Sequence, residues 1–333
     1  MELPFSFNDL VYAKASVEAQ ITLVILQALL WYCAIPQVAK VIKQYVKNKP
    51  YREQFVELSR KTWEASFKQK FDDAEVAFDY TCLFGGIILQ HCLGGFLCLP
   101  SIIGVPGISP ELAGALARHG ALTEAGWELQ DAIERAYTVI VKKDWSMNHP
   151  DFLFMVACHH VMGLSLVIPL NLYFGDLALY HHGVFYMQGV AAFGLSFQYY
   201  AFTLNLKERW GLLQMKMVVI SNFVLMFYCR IIGFGRICIE MIPILWSGTS
   251  ALFFIMAVST AISMQYLNYF FILEAYNKCI KYTFMPLPKS AKKSLSNRKK
   301  SETAVAVVTQ LKRVMSDIVL QGEESASISK KKR

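Results

Sequence analysis

Several apolar stretches in this chain are long enough to cross a bilayer, and the most constraining runs from Asp151 to Asn171, DFLFMVACHHVMGLSLVIPLN. A hydrocarbon core about 30 Å thick is spanned by ~20 apolar residues in a helix. Backbone in lipid must satisfy its own hydrogen bonds, which selects helices for a pattern without strand alternation. Ionisable groups within such a helix are costly to insert, so His159 and His160 need a polar interior to face.

Composition supports the same class. Charged residues make up 17% of the 333 and hydrophobic ones 55%, against about 25% charged in soluble domains. The expectation is an all-α polytopic membrane protein. The net charge of +8 is concentrated after Pro36 and after Asn277, the pattern of cytosolic loops rather than of a nucleic-acid footprint. The eight cysteines lie mostly within apolar runs with no CxxC pair and read as small buried hydrophobes. No basic region leads into an apolar core over the first fifteen residues, so the first spanning helix is expected to act as an uncleaved signal anchor.

Taken in order, the first span runs from Val17 to Ile35 and is expected to close at Pro36, because proline removes a helical donor and restricts the residue before it. A basic amphipathic cytosolic loop follows over 37–75. The second span, Val76 to Gly104, carries Gly85, Gly86, Gly94 and Gly95, which let neighbouring helices approach closely. The third segment, Glu111 to Val141, is helical but polar. Glu124, Glu128, Asp131 and Arg135 recur at i, i+4, i+7 and i+11, one stripe of a helix. Such a helix either lies on the membrane surface or crosses with its stripe turned inward. Crossing is the reading adopted, because it places Lys142 and Lys143 on the cytosolic side. The fourth span (Asp151 to Phe174), fifth (Leu177 to Leu204), sixth (Leu212 to about Phe234) and seventh (Met241 to Tyr276) then put basic clusters on one face at each crossing. The N-terminus is lumenal and the C-terminus cytosolic in this topology. The basic tail, 278–333, contains an amphipathic stretch suited to a surface helix and ends SKKKR. Lys330 and Lys331 stand where a dilysine retrieval signal to the endoplasmic reticulum would stand.

Three groups of residues carry candidate chemistry. His159 and His160 lie ~12 Å inside the cytosolic end of the fourth helix at 1.5 Å per residue, and Asp131 lies ~15 Å inside the third. A carboxylate at that depth orients an imidazole, and a His so held is a competent general base. The third group, Tyr180, His181 and His182, is separated from His160 by ~22 Å of helix rise. No metal shared by the two histidine pairs is therefore expected, no metal is assigned, and His181 and His182 are expected near the headgroups. Arg230, inside the sixth helix, needs a partner; Glu124 is the expected one. His91 and Glu128 complete the polar interior, His91 as an interhelical hydrogen bonder.

The order RHGALTEAGWELQD, then a membrane helix with His159-His160, then TLNLKERWG, then SNFVLMFYCRI resembles the TLC domain, the membrane fold of ceramide synthases, translocon-associated membrane proteins and lipid-regulating relatives. The resemblance covers about 75–277. It implies about seven transmembrane helices, six of them (76–277) a ring around an acyl-chain cavity and one, in residues 1–36, alongside. It also implies acyl transfer from acyl-CoA to a lipid amine or hydroxyl, served by His159 and His160, with membrane lipids and acyl-CoA as partners and no bound cofactor. Downstream the pattern departs: where ceramide synthases carry His-Asp and a further Asp, His181 is followed by His182 and Gly183. The alternative is a lipid-binding protein, membrane-composition regulator or cargo factor without turnover.

Overall fold

The structure is a computed structural model that describes residues 5–288, apart from 15, 68–69, 146–147 and 149. The described residues form helices and no strands: α1 (Phe7–Tyr12), α2 (Val17–Lys47), α3 (Arg52–Phe67), α4 (Ala74–Phe96), α5 (Leu99–Ile103), α6 (Pro110–Ala136), α7 (Pro150–Phe174), α8 (Ala178–Thr203), α9 (Arg209–Met226), α10 (Phe234–Gly248) and α11 (Ala251–Thr283). π-helical turns extend α6 over Tyr137–Val141 and join α9 to α10 over Phe227–Gly233. Among the described residues, five helical stretches are long and apolar enough to cross a membrane: Val17–Lys47, Ala74–Ile103, Phe152–Phe174, Arg209–Gly248 and Ala251–Thr283. The amphipathic stretch of the tail and Lys330-Lys331 fall outside the described residues.

Two expected boundaries are corrected. Pro36 does not close the first helix, since α2 runs through it to Lys47. Packing offsets the lost hydrogen bond: Ile35, Ala39 and Val46 are all buried on either side of the proline, the last two against Phe78, Cys82 and Phe202. The expected break between the sixth and seventh spans is also displaced. The chain continues as one helix from Arg209 to Gly248, and the turn comes at Thr249–Ser250, where the Ser250 hydroxyl accepts from the Phe253 amide as an N-cap. The π turn over Phe227–Gly233 and α10 carry the helix through the interval between the two expected spans.

Close approach at the α4 glycines is borne out. A methyl group on Gly95 would stand 2.5 Å from the Gly189 backbone in α8, and one on Gly86 2.8 Å from Ile35 Cα in α2, so either position admits only glycine without displacing a helix. α3 closes one end of the bundle. Phe55 meets Phe78, Tyr199 and Phe202 edge-on at 5.3–5.9 Å, and the Gln54 side-chain amide donates to the Phe202 and Leu204 carbonyls at 2.9 and 2.8 Å. Those carbonyls, at the end of α8, have no intrahelical partner, so α3 caps α8 from outside.

α6 is the least apolar of the long helices and among the most enclosed. Its residues from Ala113 to Gln130 are largely buried, Arg118 and Glu128 at 1% exposure. It packs against α2, α4 and α7 through small residues: Gly120 faces Gly94, and Gly126 faces Gln27 and Ala28.

Candidate functional site

Glu124, Glu128 and Asp131 descend α6 on one side, and α7 crosses them with His159, His160 and Gly163. The two consecutive histidines point to different places, since neighbouring residues on a helix are about 100° apart. His159 lines an interior cavity of about 1150 Å³ together with His91, Glu124, Glu128 and Arg230. His160, 4% exposed, does not line it.

His160 belongs to a paired network. Its Nε2 lies 3.6 Å from Asp131 Oδ2, and its ring meets Trp127 edge-on at 5.4 Å. Arg135 donates to the same Asp131 oxygen at 2.6 Å, to Asn148 Oδ1 at 3.1 Å and to the Tyr80 hydroxyl at 2.6 Å, while its guanidinium lies 5.2 Å from the Phe152 ring centroid. The expected juxtaposition of Asp131 with an imidazole is therefore present, but it faces packed protein and an arginine.

The cavity side is arranged differently. His159 Nε2 lies 3.7 Å from Glu128 Oε1. The other oxygen, Glu128 Oε2, is buried with no hydrogen-bond partner. Room for this carboxylate comes from Gly163 on α7, since a methyl group there would collide with it. Glu124 accepts from the Gln90 side-chain amide at 2.9 Å and lies 3.5 Å from His91 Nδ1. His91 also hydrogen-bonds to Gln90 Oε1, its neighbour on α4, and meets Trp127 of α6 edge-on at 5.5 Å, so its contacts reach α6 while its hydrogen bond, expected between helices, stays within α4. Donor atoms of Glu124, Glu128 and His159 all lie within 4.8 Å of one another.

The expected Glu124–Arg230 ion pair is not made. Arg230, in the π turn, donates to Asn268 Oδ1 at 3.1 Å and to the Met187 carbonyl at 2.6 Å, leaving Nε without a partner. A polar side chain on α11 and a carbonyl on α8 thus take the role assigned to the carboxylate, which is held by Gln90. His181 is not interfacial either. At 1% exposure its ring bonds to Ser101 Oγ at 2.6 Å and the Gly175 carbonyl at 2.8 Å, pinning the α7–α8 turn to α5. His182 is partly exposed and bonds to the Ala178 carbonyl.

Sequence reasoning missed Gln90, Gln188 and Asn268, the neutral groups that satisfy the interior, and Arg118, which donates to Tyr12 O, Gly175 O and Asp176. Asp176 in an otherwise uncharged turn was the available signal for Arg118. Among the described residues, the cavity follows α7 from Phe152 to Leu170, ~27 Å of helix rise. Away from the polar cluster its wall is mainly apolar. None of the family models, curated proteins or solved structures compared with the chain matches it.

Proposed function

We propose that the protein is a multipass membrane protein that takes a lipid acyl chain into this cavity, with a TLC-type arrangement in which α4, α6, α7, α8, the α9–α10 helix and α11 form the ring and α2 stands alongside. The carrying observation is the cavity itself. At about 1150 Å³ it exceeds the ~300–1,000 Å³ usual for small-molecule sites, it is elongated, and its mainly apolar wall carries a cluster of ionisable groups, His91, Glu124, Glu128 and His159. That combination suits a long apolar ligand with one polar group. The enclosure of α6 supports its crossing the membrane with the polar stripe inward, and the basic clusters support a topology that keeps them on the cytosolic face. The test is lipid mass spectrometry on purified protein. A co-purifying acyl lipid is expected, and Ala191→Trp, on the cavity wall, should displace it. Recovery of the same lipid at equal occupancy from that variant would refute the reading.

One observation favours a catalytic form of this reading: His159 both reaches the cavity and has a carboxylate beside it. It would act as general base for an amine or hydroxyl attacking the thioester carbonyl of acyl-CoA, with Glu128 orienting the ring. His160 and Asp131 then support α6 and α7 rather than the reaction. Labelled acyl-CoA with sphingoid bases, lysolipids and glycerol-based acceptors should give a product that His159→Ala abolishes. Absence of product with all three acceptor classes would leave the non-catalytic form, a lipid-binding or membrane-composition protein.

A further inference from the structure

Glu128 poses a problem that the acyl-chain reading does not solve. It is 1% exposed, one oxygen has no hydrogen-bond partner, and the nearest cationic candidate is a histidine 3.7 Å away. Glu124, one turn earlier on the same face, brings a second carboxylate into the same space. Two carboxylates converging in a weakly solvated interior repel each other and carry a large desolvation cost, which a cation joining them and the imidazole, or a shared proton, relieves.

We propose that Glu124, Glu128 and His159 form a binding site for one divalent transition-metal ion, Zn²⁺ being the ion that the donor set fits first. The three donor atoms lie within 4.8 Å of one another, whereas two ligands on a tetrahedral zinc stand roughly 3.4 Å apart at bond lengths of ~2.0–2.2 Å. Rotation about the flexible glutamate side chains closes that difference. The imidazole selects a first-row transition ion over Mg²⁺ or Ca²⁺, which favour all-oxygen shells. Two carboxylates neutralise a divalent charge, and Glu128 Oε2 gains the partner it lacks. Gln90, donating to Glu124 at 2.9 Å, is placed as an outer-shell group that fixes that ligand's orientation. Gly163 leaves the space the Glu128 carboxylate enters. All three ligands line the cavity, so the remaining coordination position opens toward whatever polar group occupies it.

The site replaces the catalytic form above, since His159 and Glu128 bound to zinc no longer act as base and orienting carboxylate, and metal content and lipid content are separate measurements that fail separately. Full-length protein purified in detergent, stripped with chelator and re-equilibrated with ZnCl₂ should hold about one zinc per chain by elemental mass spectrometry. Glu128→Gln, Glu124→Gln and His159→Ala should each weaken zinc binding by on the order of 100-fold or more, since loss of even an outer-shell partner costs 10–100-fold. Glu134→Gln, an exposed carboxylate on the same helix, should keep it. CoCl₂ added to the stripped wild type should give visible d–d absorption that depends on His159, a readout requiring no variant that alters Glu128. No zinc uptake and no cobalt spectrum in the folded wild type would overturn the proposal, and so would wild-type zinc affinity in both Glu128→Gln and His159→Ala.

Discussion

Two carboxylate–histidine pairs sit side by side on α6 and α7, one turn apart, and they differ in what completes them. In the Asp131–His160 pair, Arg135 supplies the countercharge, and Tyr80 and Asn148 occupy two more of its donors. In the Glu128–His159 pair no arginine among the described residues hydrogen-bonds to the carboxylate, one carboxylate oxygen is unpartnered, and a second carboxylate is adjacent. The first arrangement is closed and the second is open onto a cavity. A buried charge with its partners supplied by the fold serves architecture, whereas one left incomplete by the fold marks the place where something else binds.

The sharpest way to break this comparison is to remove the central residue of each pair. Arg135→Met leaves Asp131, Tyr80 and Asn148 facing an uncharged chain and should destabilise the protein by about 3–5 kcal/mol, the cost of stranding a buried charge. Glu128→Gln removes a charge that lacks a full set of partners, so in metal-stripped protein it should leave stability unchanged or raise it. Thermal unfolding in detergent measures both. Equal losses from the two substitutions would erase the distinction between a closed and an open pair.

Gly163 gives the next largest effect. Gly163→Val drives two methyl groups into the space of the Glu128 carboxylate and should cost about 1–3 kcal/mol by overpacking. Combined with Glu128→Ala, which empties that space, most of the loss should be recovered. Failure of the double variant to recover would mean that Gly163 serves backbone packing rather than the carboxylate.

How much of this was legible in the sequence follows from what each signal encodes. The 3.6-residue recurrence of Glu124, Glu128, Asp131 and Arg135 placed them on one stripe, and helix rise placed Asp131 level with the histidines. Both rest on backbone geometry that side chains do not alter. Which histidine faced which carboxylate was not legible, because a 100° rotation between neighbours cannot be assigned until the helix contacts are known. Arg230 was matched to Glu124 because both lie toward the non-cytosolic ends of their helices, yet the fold satisfied it with Asn268 and a carbonyl. Neutral amides such as Gln90 and Asn268 carry no sequence signal of comparable strength. The boundary error at Pro36 has a plain cause: proline is a helix breaker in isolation, and tertiary packing overrode it.

The two histidines themselves should separate by a smaller margin. His160→Ala removes a buried ring from Trp127 and from Asp131 and should cost about 1–2 kcal/mol, part of it the aromatic contact of ~0.5–1.5 kcal/mol. His159→Ala, with its side chain 33% exposed to the cavity, should change unfolding less while removing zinc binding. The comparison is sharpened if stability and zinc content respond to opposite members of the pair.

The smallest effect is expected where the same chemistry is repeated in water. On α3, Arg60 donates to Glu57, an i, i+3 pair, at 2.8 Å and to Glu64, an i, i+4 pair like Asp131 and Arg135, at 2.8 Å. Hydrogen bonds from Arg60 and Lys61 hold the Glu57 carboxyl down to about 2. A carboxylate depressed in the fold contributes stability that is present above its ordinary value near 4.5 and is lost as pH falls from there toward 2. The side chains of Glu57 and Arg60 are 42% and 29% exposed, so solvent screens most of that attraction. Arg60→Met should therefore leave global unfolding nearly unchanged and show only as faster amide exchange in α3 above pH 4.5, a difference from wild type that fades as pH falls toward 2. If Arg60→Met instead lowered the melting temperature as far as Arg135→Met, burial would not be what separates the closed pair in the bundle from its counterpart in water.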